Sequence, residues 1–468
     1  MSLREVYLSS EADFMQVPPL EKKLGIETYV TQSPSIGGRI RQLLDDFTVE
    51  ELLVDGSLAE VSPPVEAQEP VGEGRYLICI LVKRRWDTFL AVREVAEKLR
   101  IKGKRIRFAG IKDTKALTAQ HISIQGVSPN RVSEIKIKDI SVYPVRFSKS
   151  RIYSQLIQGN RFHITIRGII NPPSVIEERV KDIQNEIAGL GGVPNFFGHQ
   201  RFGTIRPNTH QVGKHLVKGD VEKAALAFLA EPSLHEHPEA REARERLQDT
   251  RDFKEALARF PRFLRYERFM LNHLTKYPRD FVGAFRELPR RLRKLFVQAY
   301  QSYLFNRFLS ERMRRNILLN EPQIGDYIIK LDEHGLPTDD YDQVTAQNLQ
   351  TMEETIEEGK TCIAAPLVGT MQLPSGGLQG EIEQKILETE NLALEDFQLS
   401  FMPEATAEGR VRAVLNPVWN LVQEEMSADV ENRDMQMIKL GFSLNRGSYA
   451  TVLLREFMKP QDLIEAGY

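Results

Sequence analysis

Cysteine is nearly absent from this 468-residue chain, and the two that occur, Cys79 and Cys362, stand far apart and in no C-x-x-C pattern. That excludes a disulfide framework or a thiolate zinc site and fits a reducing, cytoplasmic setting. No apolar run approaches the roughly 18 residues of a membrane span. The opening MSLREVYLSSEADF is charged and polar, where a signal peptide needs an apolar stretch. A protein that is neither membrane-inserted nor exported is therefore expected. The nine histidines include His210 with His215 and His235 with His237, but never the H-E-x-x-H pattern of a helical zinc site. G-E-G at 72–74 is half a dinucleotide fingerprint with no helix start after it, and no G-x-x-x-x-G-K-[ST] loop occurs, so neither NAD nor ATP is expected. Internal repeats and low-complexity tracts are missing too. So is net charge: 63 basic against 65 acidic residues leave −2, and the whole-protein field gives no reason to expect a polyanionic partner.

What is present is enough to fold. The length suggests two or three domains, and 41% hydrophobic with 27% charged residues lies near the globular average. Charge is concentrated locally. Between Lys83 and Lys115 stand twelve basic residues (Lys83, Arg84, Arg85, Arg93, Lys98, Arg100, Lys102, Lys104, Arg105, Arg107, Lys112, Lys115) against four acids, a formal +8. By charge alone, a solvated surface and a phosphate-binding face are equally good readings.

Residues 36–54 and 75–82 read as strands separated by the Pro/Gly/Glu-rich loop SPPVEAQEPVGEG. DTFLAVREVAEKLR reads as an amphipathic helix, with Phe89, Val92, Ala96 and Leu99 at helical spacing. KRIRFAG and TAQHISIQ alternate as strands do, with GIKDTKA between them, so Asp113 is expected on a loop between two strands. NRFHITIR (160–167) is a further strand, followed by a helix near 174–189. After VPNFFGHQRFG the pattern turns to long helical stretches such as LPRRLRKLFVQAYQSYLFNRFLSERMRRN. The last sixty residues return to strand in MQMIKLGFSL and close on a short helix, with Ser448 as candidate N-cap. This tail reads as rejoining the first sheet.

Asp113 lies in FAGIKDTKALTAQ with Lys112 and Lys115 beside it and Gly110 available for a turn. Cations nearby favour the carboxylate, which is then fit to act as nucleophile or base. From spacing alone, an N-cap or salt-bridge role is the commoner explanation of such an Asp. Five ordered blocks decide more. FAGIKDTKALTAQ, DDFTVEE (45–51), GNRFHITIR (159–167), VPNFFGHQRFG (193–203) and GSYATVLLRE (447–456) together resemble the TruD family of pseudouridine synthases. Members isomerise uridine in tRNA, typically at position 13, and some relatives modify other positions.

The resemblance implies that Asp113, following Lys112 as in the family's K-D pair, is the catalytic Asp, which attacks C1′ of the target ribose or abstracts a C2′ proton. The uracil would leave, rotate and rejoin through C5 in a pocket that excludes water. It also implies that Phe47 and Asn160 contact the target nucleotide and that Tyr449 stands where the family also carries Phe. Core residues are the alternative for Phe47 and Tyr449, and a turn or strand-edge role for Asn160. Arg41 matches a basic family position and is a candidate partner of Asp113; a plain surface Arg is the alternative. Phe162 shares a face with Ile164 and Ile166 and reads as core. VPNFFGHQRFG reads as structural, with Gln200 and Arg201 candidate phosphate contacts. Arg290, Arg291, Arg293 and Lys294 form a candidate RNA-facing rim on a helix whose aromatics are mostly core.

The expected architecture is α+β: a catalytic domain around a largely antiparallel sheet, built from 1–204 and 406–468, with a mostly helical α+β domain (205–405) inserted and tRNA in the cleft between. No cofactor, metal or obligate protein partner is expected, and a monomer is favoured. The alternatives are a non-enzymatic tRNA-binding or RNA-chaperone protein on the same scaffold, and a hydrolase. A retaining glycosidase needs two carboxylates about 5 Å apart, and Asp113 has no acidic neighbour in its loop.

Overall fold

The computed structural model describes residues 17–62 and 70–468. The polar opening segment and most of the 62–74 loop lie outside them. The described residues divide into two compact units, one of residues 31–193 with 416–468, the other of residues 17–30 with 194–415.

The first unit is built on a sheet of eight strands: β1 (Phe47–Leu53), β2 (Tyr76–Arg84), β3 (Ile106–Phe108), β4 (Leu117–Gln125), β5 (Ile140–Ser148), β6 (Ile157–Ile169), β11 (Val418–Ala428) and β12 (Gln436–Asn445). Their order is β11-β12-β6-β1-β4-β2-β5, with β3 also on β4. Within this sheet only β1 and β4 run parallel, and the other pairings are antiparallel. The expected α+β class and largely antiparallel sheet are present, and the C-terminal tail does rejoin the first sheet through β12 on β6.

Strand alternation explains the layers. On β2, Leu77, Cys79 and Leu81 enter one cluster with Ala91, Val92 and Val95 of helix α1 (Thr88–Lys98), while Ile80 and Val82 pack with Ala119 on the other face. Helix α2 (Pro173–Leu190) follows β6. The helix read at 87–100 forms, but Phe89 is 52% exposed rather than buried, its ring edge-on to Phe108 at 5.4 Å. The buried stripe runs through Thr88, Ala91, Val92, Val95 and Ala96, and Asp87 caps the helix. The strand read at 36–54 shortens to 47–53. Gly37, Gly38 and Arg41 take positive φ, and a 3-10 turn at Leu44–Asp46 follows, so the segment before Phe47 cannot stay extended.

The second unit holds an antiparallel sheet of β7 (Tyr327–Leu331), β8 (Pro337–Gln343), β9 (Thr361–Leu367) and β10 (Arg410–Ala413), in the order β10-β9-β7-β8, among many helices. Helix α3 (Arg290–Arg314) buries Phe296, Tyr300 and Phe305 and leaves Arg290, Arg291 and Lys294 exposed, while Arg293 pairs with Glu404. Relative to the expected limits, the residues before Thr31 and those at 194–204 and 406–415 group with this unit. The reason is local. Asn306 and Ser310 of α3 donate to the carbonyls of Leu24 (2.9 Å) and Gly25 (2.7 Å), and β10 pairs with β9. In the VPNFFGHQRFG block, Phe196, Phe197 and Phe202 are buried and Arg201 Nε donates to Ser302 Oγ at 3.1 Å.

Candidate active site

Asp113 sits on the loop between β3 and β4, as its flanking alternation predicts, with its side chain 48% exposed. The loop beneath it is tied down at successive residues. Gln120 Nε2 of β4 donates to the Gly110 carbonyl at 3.0 Å, and Thr88 Oγ1, the first residue of α1, donates to Gln120 Oε1 at 3.3 Å. The same hydroxyl accepts the Lys112 N–H at 3.1 Å. Lys83 Nζ, at the end of β2, donates to the carbonyls of Lys112 (3.3 Å) and Asp113 (2.7 Å). The carboxylate is thus presented to solvent from a backbone fixed by three separate elements.

Arg41 reaches this carboxylate. Its Nη2 lies 3.5 Å from Asp113 Oδ2, its Nη1 donates to the Gly467 carbonyl at 3.1 Å, and its guanidinium lies over the Phe47 ring at 3.9 Å. It does so from φ +57°, a left-handed conformation that costs a non-glycine residue free energy and that the surrounding contacts must impose. Burial pulls the Arg41 pKa below its usual value, and the charges of Asp113 and Tyr468 partly oppose that drop.

Phe47 is 1% exposed, edge-on to Phe162 at 6.4 Å, and Phe162 stacks on Phe442 at 5.2 Å. Arg41 lies over the ring, so in this conformation the phenyl ring is covered. Phe162 is buried, as its strand face predicts.

Lys112 and Asn160 also come together. Lys112 Nζ donates to Asn160 Oδ1 at 2.5 Å and lies 2.9 Å from Glu51 Oε2. Glu51 Oε1 accepts the His121 N–H at 2.9 Å. Burial pushes the Glu51 pKa up, but the Lys112 charge and the hydrogen bonds from His121 and Lys112 outweigh it and hold the group below the usual carboxylate range. Asn160 faces Glu51 across the β6–β1 ladder. Because its carbonyl oxygen is taken by Lys112, its amide N–H groups are the part left to address a ligand.

Tyr449 is half-buried and is itself the N-cap residue of helix α4 (Ala450–Met458). Ser448, expected in that role, instead makes a 2.7 Å hydrogen bond to Asn416 Oδ1. Two hydrogen bonds from Arg446, to the carbonyls of Gln158 and Ile157 at 2.9 Å, tie this turn to the start of β6, the strand that carries Asn160.

Residue types and spacing did not single out Lys83, Glu51 or Thr88. Two of them left a signal. Glu51 falls on the same alternating positions as Phe47, Val49 and Leu53, and Lys83 on those of Leu77, Cys79 and Leu81; a charge at an inward strand position demands a partner.

Three comparisons place the chain among known proteins. The family model described as tRNA pseudouridine synthase D (TruD) matches residues 23–457. The chain belongs to the TruD family. A protein of Methanosarcina barkeri named "Probable tRNA pseudouridine synthase D" is 39% identical over 453 residues, covering 96% of this chain and 99% of that protein. Its namesake in Methanosarcina mazei is 40% identical over 450 residues, with 96% and 99% covered. The crystal structure of the TruD protein of Methanosarcina mazei superposes with a TM-score of 0.83 at 40% identity, over 95% of this chain and 99% of that one. Sequence and fold therefore agree with TruD membership over nearly the whole chain, including the loop that carries Asp113.

Proposed function

We propose that the protein isomerises uridine to pseudouridine in tRNA, at position 13, with Asp113 as its catalytic carboxylate. The observation that carries this reading is the combination at Asp113: a half-exposed acid on a backbone held by buried groups, with Arg41 at 3.5 Å. Asp113 either attacks C1′ as the N1–C1′ bond breaks, or takes a C2′ proton as the uracil leaves a glycal; the uracil turns, and the C5–C1′ bond forms as the Asp113–C1′ ester bond breaks or as Asp113 returns its proton to C2′. C5 loses a proton and N1 gains one, so the step is redox-neutral and calls for no cofactor.

The other residues have supporting parts. Arg41, resting on Phe47, orients the Asp113 carboxylate. Glu51 fixes Lys112, and Lys112 fixes Asn160 so that its amide donates toward the uracil. Tyr449 supplies a wall from the start of α4. The Asp113 side chain is about half exposed, so the bound nucleotide completes the exclusion of water, and the uridine must be flipped out of its stack at a cost of a few kcal/mol.

Phosphate contacts offset that cost. Of the twelve cations between 83 and 115, Arg84 pairs with Asp45, Arg93 with Glu94 and Glu97, and Arg105 donates to backbone carbonyls, while Lys83 and Lys112 are buried. Arg85, Lys98, Arg100, Lys102, Lys104, Arg107 and Lys115 are exposed and have no acidic partner among the described residues. We assign them to the RNA backbone. The middle section is proposed as an inserted domain and the protein as a cytoplasmic monomer; no helix among the described residues is long and apolar enough to cross a membrane.

The test is incubation with unmodified tRNA transcripts, with pseudouridine mapped by selective chemical adduct formation and reverse-transcription stops. Wild type should give one stop at position 13. Asp113→Asn should give none while binding tRNA with unchanged affinity. An active Asp113→Asn variant, or no stop in any tRNA with folded wild type, would overturn the proposal.

A further inference from the structure

Lys83 is an unusual cation of the first unit. It lies on β2, with Thr118 and Ile140 as its ladder partners on either side, and it is fully buried. Among the described residues no carboxylate forms an ion pair with it; its ammonium is spent on the carbonyls of Lys112 at 3.3 Å and Asp113 at 2.7 Å. A buried ammonium without an anion is costly to keep and tends to give up its proton. A fold that needed only two hydrogen bonds to this loop has cheaper donors, such as the Gln120 amide that already holds Gly110.

We propose that Lys83 is a positioning residue for the isomerisation: its charged form fixes the Lys112–Asp113 backbone and so the aim of the Asp113 carboxylate. The inference rests on the reading of Asp113 given above. The charged groups facing Lys83 are Asp113 and Lys112 of the loop and Asp87 at the cap of α1. Burial brings its pKa down to about 8; the Asp113 and Asp87 charges oppose the drop and Lys112 adds to it. The amine therefore loses its charge just above neutrality. Above that pH two charge-assisted bonds become weak ones and the carboxylate loses a fixed cation.

The experiment is the pH dependence of single-turnover pseudouridine formation at fixed ionic strength, for wild type, Lys83→Arg and Lys83→Met, with folding checked by circular dichroism. Wild type should show a falling alkaline limb near pH 8. Lys83→Met should lose turnover by about 10²-fold, the usual effect of a misaimed catalytic group, with the apparent affinity for tRNA unchanged. Lys83→Arg, which does not titrate in this range, should keep most activity and lose the limb. A wild type with no such limb, a limb unchanged in a folded variant, or a Lys83→Met protein of wild-type rate would each overturn the proposal. If Lys83→Met does not fold, the Lys83→Arg profile decides. If wild type forms no pseudouridine at all, it is the assignment of Asp113 that fails, not the role of Lys83 within it.

Discussion

Glu51 and Lys112 meet at 2.9 Å, with the Glu51 side chain fully buried and that of Lys112 nearly so. Each neutralises the other, and each has a further partner: Glu51 accepts a backbone N–H of β4, and Lys112 donates to Asn160. Because Glu51 is held below the usual carboxylate range, the pair contributes stability that is present above the ordinary glutamate pKa and lost as pH falls through the lowered one. Removing one partner leaves the other charge buried alone. Glu51→Gln should therefore cost on the order of 3 kcal/mol by denaturant titration, and Glu51→Gln with Lys112→Met should recover much of it. Turnover should stay low in the double variant, since Asn160 has lost the donor that orients it. Recovery of turnover together with stability would show that Lys112 serves the fold alone.

At the scale of elements, the site depends on the first turn of α1. Asp87 accepts the N–H groups of Phe89 and Leu90, and Thr88, next to it, holds both Lys112 and Gln120. The helix cap and the reactive loop are thus one structure. Asp87→Ala should lose roughly 0.5–2 kcal/mol, the ordinary value of a cap. It should also move the alkaline limb assigned to Lys83 to lower pH, because the Asp87 charge helps to keep that amine protonated. The rate profile checks this; a limb that moves upward, or not at all, contradicts the charge arrangement.

At the scale of the whole molecule, a net charge of −2 hides a strongly basic segment between Lys83 and Lys115. Arg85, Arg107 and Lys115 lie close in sequence to the elements that carry the site, and their charges are unspent. Substituting each with Gln should reduce the slope of log K against log salt for tRNA binding by about one, with little effect on the rate of the bound complex. Asp113→Asn should leave the slope unchanged. A slope that ignores all three substitutions would place the RNA elsewhere.

Local pattern by itself determined the strands at 117–125 and 157–169, the helix after Trp86, and the loop that carries Asp113, because period-2 and period-3.6 burial are written in neighbouring residues. Five ordered blocks determined the family. Tertiary structure alone decided that Arg41 meets Asp113, that Phe47 lies beneath Arg41, which cations are buried and which are free, and that residues before Thr31 side with the middle section. Those facts depend on contacts between segments far apart in the chain. They also depend on backbone turns such as the positive φ of Arg41, which an Arg does not announce and which only the summed registers of the sheet can impose.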